Sequence, residues 1–222
     1  MVTPLPIVVL ASGRGGTFAA LNAAQRDGRL AVDIRALLSD RRTAPVLEIA
    51  ESAGIATVAL RPRDFPDRVQ FDRALFARAA AFAPELIVLA GYMRIIDAAV
   101  VADWAGRIIN LHPSLLPKFP GLDTYARALY AAEITFGASI HYVTSQLDGG
   151  PVIAQVELPI LPGDTPDLMA ARLRPAEQNL LIGVVKLIAE RRLALTGDAV
   201  ELDGLRLERP LIMDADGGFS GL

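Results

Sequence analysis

The chain has 222 residues and a formal net charge of −3, with 22 lysines and arginines against 25 aspartates and glutamates. Its length and its hydrophobic content of 52% predict one domain with a sizeable core. The slightly acidic balance argues against a nucleic-acid coat, and the lack of cysteine excludes disulfides, thiolate metal sites and cysteine nucleophiles. No apolar run approaches the roughly 18 residues of a membrane span, and no signal peptide is recognisable, so a cytoplasmic protein is expected.

Short β-branched runs alternate with longer segments rich in alanine and arginine in the first half of the chain. The runs predicted as buried strands are Leu5–Ala11, Val32–Leu38, Ile55–Leu60, Leu86–Ala90 and Arg107–Leu111. Helical spacing of apolar residues predicts helices near 16–27, 43–53, 66–83 and 97–104. This alternation predicts an α/β fold of the Rossmann-like kind, a mostly parallel sheet with helices on both faces.

The rhythm changes in the second half of the chain. The predicted elements there are a helix near 123–132, strands over Gly137–Val143 and Pro151–Pro159, and a closing helix near 165–190. The segment Thr144–Gly150 is too long for a tight hairpin, and loops of this kind often carry function. A hairpin turned by Asp203-Gly204 is expected near the end. We expect a single catalytic domain over 1–210 and a flexible tail over 211–222.

A glycine-rich turn follows the first predicted strand, with the sequence Ser12-Gly13-Arg14-Gly15-Gly16-Thr17. Backbone N–H groups at the start of the next helix, together with the helix dipole, are suited to hold a phosphate. The alternative is an ordinary tight turn between a strand and a helix. The glycine pattern is a poor dinucleotide fingerprint, and no lysine follows to make a P-loop.

Asn110 and His112 lie two residues apart at the end of the fifth predicted strand. Side chains at this spacing point to the same face of a sheet, so an amide donor and an imidazole are presented together. A histidine in this position is suited to general acid–base chemistry near neutral pH. The alternative for His112 is a buried structural role.

Asp148 precedes Gly149-Gly150 and has two possible explanations. It is either a turn aspartate or a carboxylate that pairs with His112, raises the imidazole pKa and orders a water for proton transfer. The second histidine, His141, lies in an alternating strand pattern, which favours a structural or supporting role. Two histidines and scattered carboxylates show no ligand spacing, so no metal site is expected.

Three motifs in this order resemble the phosphoribosylglycinamide formyltransferase family: Leu89–Ile95, Asn110–Pro117 and Leu147–Ile153. The resemblance implies the formyltransferase fold and the transfer of a formyl group to the amine of glycinamide ribonucleotide in purine biosynthesis. The implied co-substrate is 10-formyltetrahydrofolate, and no metal is involved. The implied partners are these small molecules, with no nucleic acid or membrane, and the implied assembly is a monomer or a homodimer.

The same resemblance implies roles for individual residues. Asn110 would stabilise the oxyanion of the tetrahedral intermediate, His112 would shuttle a proton, and Asp148 would hold His112 and an ordered water. The implied folate contacts are Met93, Arg94, Ile95, Ile96, Val143, Thr144 and Leu147. The implied ribonucleotide contacts are Gly15, Gly16, Thr17, Arg68, Arg174 and Glu177.

The departures from the family pattern fall on the substrate side. Gly15-Gly16-Thr17 stands where the family usually has Gly-Ser-Asn, and Asp123-Thr124-Tyr125 stands where histidines are common. Two other activities use the same chemical groups: 10-formyltetrahydrofolate deformylase, with water as acceptor, and N-formyltransferases that act on nucleotide-linked amino sugars. A domain that only binds a nucleotide or a folate is the non-enzymatic alternative.

Overall fold

The computed structural model describes residues 3–220. The chain forms two compact units, and the division between them falls inside one strand, between Asn110 and Leu111. We call the part before this division unit 1 and the part after it unit 2. The single catalytic domain expected over 1–210 stays a prediction.

Unit 1 alternates strands and helices as the sequence predicts. Its elements are β1 (Leu5–Leu10), α1 (Gly16–Arg26), β2 (Val32–Ser39), α2 (Pro45–Ser52), β3 (Ala56–Ala59), α3 (Arg68–Ala80), β4 (Leu86–Leu89), α4 (Ala98–Asp103) and the first three residues of β5 (Ile108–His112). The strands pair in the order β5-β4-β1-β2-β3, and each of these pairs is parallel. Every residue of β1 and β4 is buried, as expected for inner strands of a parallel sheet.

Helix α3 shows how the apolar spacing places a helix on the core of unit 1. Phe71, Leu75, Phe76 and Ala79 recur every three or four residues and are all buried. Asp67 caps the N-terminus by accepting a hydrogen bond from the Gln70 N–H. The helix therefore begins and ends close to where the sequence predicts.

Unit 2 combines antiparallel strands with a long helix. After the last two residues of β5 come α5 (Thr124–Tyr130), β6 (Thr135–Tyr142), β7 (Val152–Pro159), α6 (Pro166–Ala189), β8 (Leu193–Thr196), β9 (Ala199–Leu202), β10 (Leu205–Arg206), β11 (Leu211–Met213) and β12 (Phe219–Ser220). β6 and β7 pair antiparallel, and β11 pairs parallel with β7. β8, β9 and β10 form a separate antiparallel sheet. The predicted α/β class with a mostly parallel sheet is confirmed.

The end of the chain differs from the expected flexible tail over 211–222. Leu211–Met213 forms β11 on the edge of β7, and β12 pairs antiparallel with β11. Leu211 and Met213 are buried, which explains why this segment is held despite the glycines that follow it. Residues 221–222 of the predicted tail lie outside the described residues. Within 3–220, no helix is both long and apolar enough to cross a membrane.

Asp72 is a fully buried carboxylate on α3, and its Oδ2 accepts the Asp97 N–H at 2.8 Å. Burial raises the pKa of Asp72, although the Asp97 N–H and the charges of Arg94 and Arg68 oppose this. Replacing Asp72 by alanine removes the acceptor and leaves the Asp97 N–H without this partner. We expect Asp72→Ala to lower the free energy of unfolding by about 1–3 kcal/mol in urea titrations.

The matched control is Asp72→Asn, which keeps a carbonyl oxygen for the Asp97 N–H and removes the cost of burying a charge. It should be at least as stable as the wild type near neutral pH. Equal destabilisation by alanine and asparagine would contradict the importance of this hydrogen bond.

Candidate active site

The glycine-rich turn of unit 1 lies between β1 and α1. Gly15 is the N-cap of α1 with φ of 83°, and a Cβ at this position would lie 2.6 Å from Val46 Cγ2. The conformation and the close approach both require glycine. The first turn of α1, which includes Gly16 and Thr17, contains no acidic residue, and no side chain caps the helix. These N–H groups and the helix dipole can therefore receive an anion.

The segment 91–97 follows β4, and hydrogen bonds to two side chains hold its backbone at Met93 and Asp97. The Ser12 hydroxyl accepts the Met93 N–H at 3.0 Å, and the Asp72 carboxylate accepts the Asp97 N–H. Between these two points the side chains of Met93 and Ile95 are 62% and 50% exposed. A held backbone that presents apolar side chains is suited to bind a flat or apolar ligand.

The neighbouring candidates of unit 1 differ in their exposure. Ile96 is buried, and the Arg94 guanidinium lies over the Phe71 ring at 5.1 Å from its centroid. Arg94 Nε is buried without a hydrogen-bond partner among the described residues. Arg68 is exposed at the first position of α3. The structure thus leaves Arg68 accessible to an anion and Arg94 partly committed to the core.

In unit 2, the end of β5 brings His112 to Asp148, which agrees with the pairing hypothesis and not with a turn aspartate alone. His112 Nδ1 lies 3.5 Å from Asp148 Oδ2, and both side chains are largely buried. Asn110 lies two residues earlier on the same strand, so its side chain points to the same face as that of His112. In unit 2, the end of β5 therefore offers an imidazole and a carboxylate.

The side chain of Asp148 is held by the backbone of the loop that contains Gly121. Its Oδ2 accepts the Gly121 N–H at 2.8 Å, and its own backbone adopts the left-handed region with φ of 48°. Close by in sequence, Gly150 is required because a Cβ there would lie 1.8 Å from the Tyr142 carbonyl oxygen. The glycines after Asp148 thus allow the loop to lie against the end of β6.

His141 on β6 lies on the other side of the same carboxylate. Its Nε2 is 3.6 Å from Asp148 Oδ1, and its Nδ1 is 2.9 Å from the Tyr142 carbonyl oxygen. The sequence favours a structural or supporting role for His141 but does not predict this contact. The alternating pattern of β6 indicates which face of the strand His141 occupies. Its contact with Asp148 depends on how the 143–150 loop folds, and the sequence does not show this.

The pKa values of His112 and Asp148 are both lowered, but for different reasons. Burial lowers the pKa of His112 below its usual 6.5, although the Phe119 carbonyl and the Asp148 charge act in the opposite direction. Asp148 raises the pKa of His112, as the sequence-based hypothesis states, but burial outweighs the carboxylate and the net shift is downward. Burial disfavours the charge of Asp148, yet the His141 imidazole, the Gly121 N–H and His112 hold the pKa of its carboxyl below the usual range.

This arrangement is a neutral base beside an ionised carboxylate. At neutral pH His112 has a ring nitrogen able to accept a proton, and Asp148 can stabilise the imidazolium that forms. Such a set suits acyl transfer to an amine and requires no covalent enzyme intermediate.

The two candidates on α6, Arg174 and Glu177, lie about one turn apart. Burial raises the pKa of Glu177 to about 7, and Arg174 opposes this shift. The charge of Glu177 also acts on the hydroxyl of Tyr125 on α5, whose pKa is raised mainly by burial. Tyr125 was not among the predicted site residues, since its approach to Glu177 depends on tertiary packing that no local motif records.

The remaining candidates of unit 2 lie in the loop between β6 and β7. Val143 and Thr144 are half-buried, and Leu147 is 49% exposed one residue before Asp148. Leu147 is therefore accessible to a ligand that reaches Asp148. No group of three or more potential metal ligands occurs within residues 3–220.

Comparison with known proteins identifies the family. The chain matches the model of the formyl transferase family over residues 5–185. It is 42% identical over 201 residues to phosphoribosylglycinamide formyltransferase of Escherichia coli (strain K12), covering 90% of this chain and 95% of that protein. The phosphoribosylglycinamide formyltransferase structure from Coxiella burnetii is 44% identical, with a TM-score of 0.88 over 92% of this chain and 96% of that one.

A formyltetrahydrofolate deformylase structure from Burkholderia mallei ATCC 23344 is also similar. It is 28% identical, with a TM-score of 0.81, and the match covers 90% of this chain and 70% of the deformylase. The family match includes β5, β6 and the loop that carries Asp148. The chain belongs to the formyl transferase family.

Proposed function

We propose that this protein is a phosphoribosylglycinamide formyltransferase. It transfers the formyl group of 10-formyltetrahydrofolate, a co-substrate, to the amine of glycinamide ribonucleotide in purine biosynthesis. The observation that carries the proposal is the buried His112–Asp148 pair at the end of the strand that also bears Asn110. The similarity to proteins of this name over about nine-tenths of the chain supports the choice of substrates.

The chemistry follows from the three groups. The amine nitrogen attacks the formyl carbon, and the Asn110 amide donates a hydrogen bond to the oxyanion that develops. His112 takes the proton that the amine loses, while Asp148 stabilises the resulting imidazolium. The bond from the formyl carbon to the folate nitrogen then breaks, and His112 returns the proton to that nitrogen.

The substrate contacts are part of the same proposal. In unit 1, Met93, Arg94, Ile95 and Ile96 contact the folate, and Gly15, Gly16, Thr17 and Arg68 bind the ribonucleotide phosphate. In unit 2, Val143, Thr144 and Leu147 contact the folate, and Arg174 and Glu177 contact the ribonucleotide. The exposure of Met93, Ile95 and Leu147 and the uncapped N-terminus of α1 support these assignments. We further propose that 1–210 acts as one catalytic domain, in the cytoplasm.

The direct test is folate product formation by the purified chain with 10-formyltetrahydrofolate, with and without glycinamide ribonucleotide. We expect turnover only when the ribonucleotide is present, because the site binds an amine as nucleophile. Turnover without any acceptor would replace the proposal with a deformylase. An absence of turnover in both assays would contradict it and direct the search to amino-sugar acceptors.

Asp148→Asn removes the carboxylate charge but keeps an oxygen for the Gly121 N–H. We expect kcat to fall by roughly 10²–10⁴, the usual contribution of general acid–base catalysis, while the KM for the folate changes little. Steady-state kinetics with both substrates varied would measure this difference. An unchanged kcat would remove Asp148 from the catalytic step.

The pH dependence of kcat follows from the lowered pKa of His112. The imidazole accepts a proton only when it is neutral, so its activity is present above its pKa and lost as the pH falls through it. We expect a limb in the kcat profile below pH 6.5 that Glu177→Gln does not remove. Glu177 titrates at about 7, so a limb that disappears in this variant belongs to Glu177. A profile with no acid limb below 6.5 would contradict the assignment of His112 as the base.

A further inference from the structure

Arg127 extends from α5 onto the loop that follows Pro117. Its Nη1 donates hydrogen bonds to the carbonyl oxygens of Pro120 at 2.5 Å and Leu122 at 3.2 Å. Its guanidinium carbon lies 5.4 Å from the centroid of the Phe119 ring. One exposed side chain thus contacts three of the four residues from Phe119 to Leu122, which we call the clamp loop.

The clamp loop supplies a backbone contact to each member of the proposed catalytic pair. The Phe119 carbonyl oxygen lies 3.0 Å from His112 Nε2, and the Gly121 N–H donates to Asp148 Oδ2 at 2.8 Å. Phe119 has φ of 54°, in the left-handed region that is unfavourable for a residue with a side chain. A loop with this conformation needs support from outside itself, and Arg127 provides it.

The contact with Phe119 fixes the tautomer of His112. The Phe119 carbonyl and the ionised Asp148 carboxylate both only accept hydrogen bonds, and the carbonyl oxygen is the nearer of the two, at 3.0 Å against 3.5 Å, so the neutral ring carries its hydrogen on Nε2. The unprotonated, basic nitrogen is then Nδ1, which faces Asp148 at 3.5 Å. When Nδ1 accepts a proton, the new charge forms beside the carboxylate. The loop therefore determines which nitrogen can act as the base.

We propose that Arg127 is a positioning residue, which holds the clamp loop so that Phe119 sets the tautomer of His112 and Gly121 orients Asp148. This inference rests on the proposed function for its effect on turnover, and on the contacts alone for its effect on the loop. The charged and titratable groups that act on His112 are Asp148, His141 and Arg127 itself. Arg127 acts on the reaction through the loop and contacts neither substrate in the proposed mechanism.

The experiment compares Arg127→Met, Arg127→Lys and the wild type. Methionine keeps an unbranched side chain but has no donor, whereas lysine keeps the charge and a donor. Amide hydrogen exchange at Gly121 reports on the loop, and ¹⁵N NMR of the imidazoles reports on the tautomer. The chain contains only two histidines, so their ring signals can be resolved.

We expect Arg127→Met to exchange the Gly121 amide at least about tenfold faster, to populate both neutral tautomers of His112, and to lower kcat roughly tenfold. This loss lies within the ~100-fold that a misplacement of about 1 Å can cost. The KM values should change much less than kcat. Arg127→Lys should recover most of the Gly121 protection.

The matched control is Arg192→Ala. Arg192 is another arginine of unit 2 with a partly exposed side chain, and it makes three hydrogen bonds to Asp203 next to the β8–β9–β10 sheet. Its loss should leave Gly121 exchange, the His112 tautomer and kcat at wild-type values. Both arginine variants should unfold within about 2 °C of the wild type, since surface contacts contribute little to stability.

Each outcome bears on a defined part of the proposal. Unchanged Gly121 exchange and tautomer in Arg127→Met would overturn the clamp, whatever the activity. Faster exchange with an unchanged kcat would overturn its role in catalysis. A lysine variant that exchanges as fast as the methionine variant would overturn the assignment of the carbonyl hydrogen bonds. If the wild type shows no turnover, the proposed function fails, and the exchange and NMR results still decide the clamp.

Discussion

The arrangement of unit 2 depends on the burial of one charged carboxylate. The side chain of Asp148 is only 10% exposed, and an ionised group in such a place costs several kcal/mol unless it is paired and hydrogen-bonded. The partners come from three separate pieces of the chain: His112 at the end of β5, His141 on β6 and the backbone of Gly121. Placing all of them requires Asp148 in the left-handed region and glycine at 150, where any side chain would meet the Tyr142 carbonyl.

Both units hold a loop in the same way, since side chains from outside the segment 91–97 and outside the clamp loop bind the backbone of each. Ser12 and Asp72 accept N–H groups at the two ends of the segment 91–97, and Arg127 donates to carbonyls of the clamp loop. Loops that leave apolar or catalytic groups accessible have few buried contacts of their own. Hydrogen bonds to their backbone therefore restrict them without covering the side chains that a ligand must reach.

The sequence predicts unit 1 well because its signals are local. Each strand there is a short β-branched run and most helices show regular apolar spacing, so the parallel pairing of the strands follows from their alternation with helices. The sequence analysis does not identify β8, β11 and β12, which have at most four residues each, and β11 is defined by its pairing with β7, far away in the sequence. For the site, the pairing of His112 with Asp148 is one of two hypotheses that the residues allow and the one that the family resemblance implies. The sequence does not predict the contact of His141 with Asp148, the effect of the Glu177 charge on Tyr125 or the lowered pKa of His112, because these depend on tertiary packing and burial.

The lowered pKa of His112 is compatible with its proposed role as a base when the charges of His112, His141 and Asp148 are considered together. Each imidazole has one nitrogen against a carbonyl oxygen, Phe119 for His112 and Tyr142 for His141, and the other nitrogen against Asp148. With the His112 ring neutral and its hydrogen directed to the Phe119 carbonyl, Nδ1 faces a carboxylate that the His141 imidazole and the Gly121 N–H keep ionised. A proton that enters at Nδ1 therefore forms an ion pair with Asp148 and is not an isolated buried charge. The site therefore resists a resting imidazolium through burial, yet it can hold the proton for as long as the amine and the folate nitrogen exchange it.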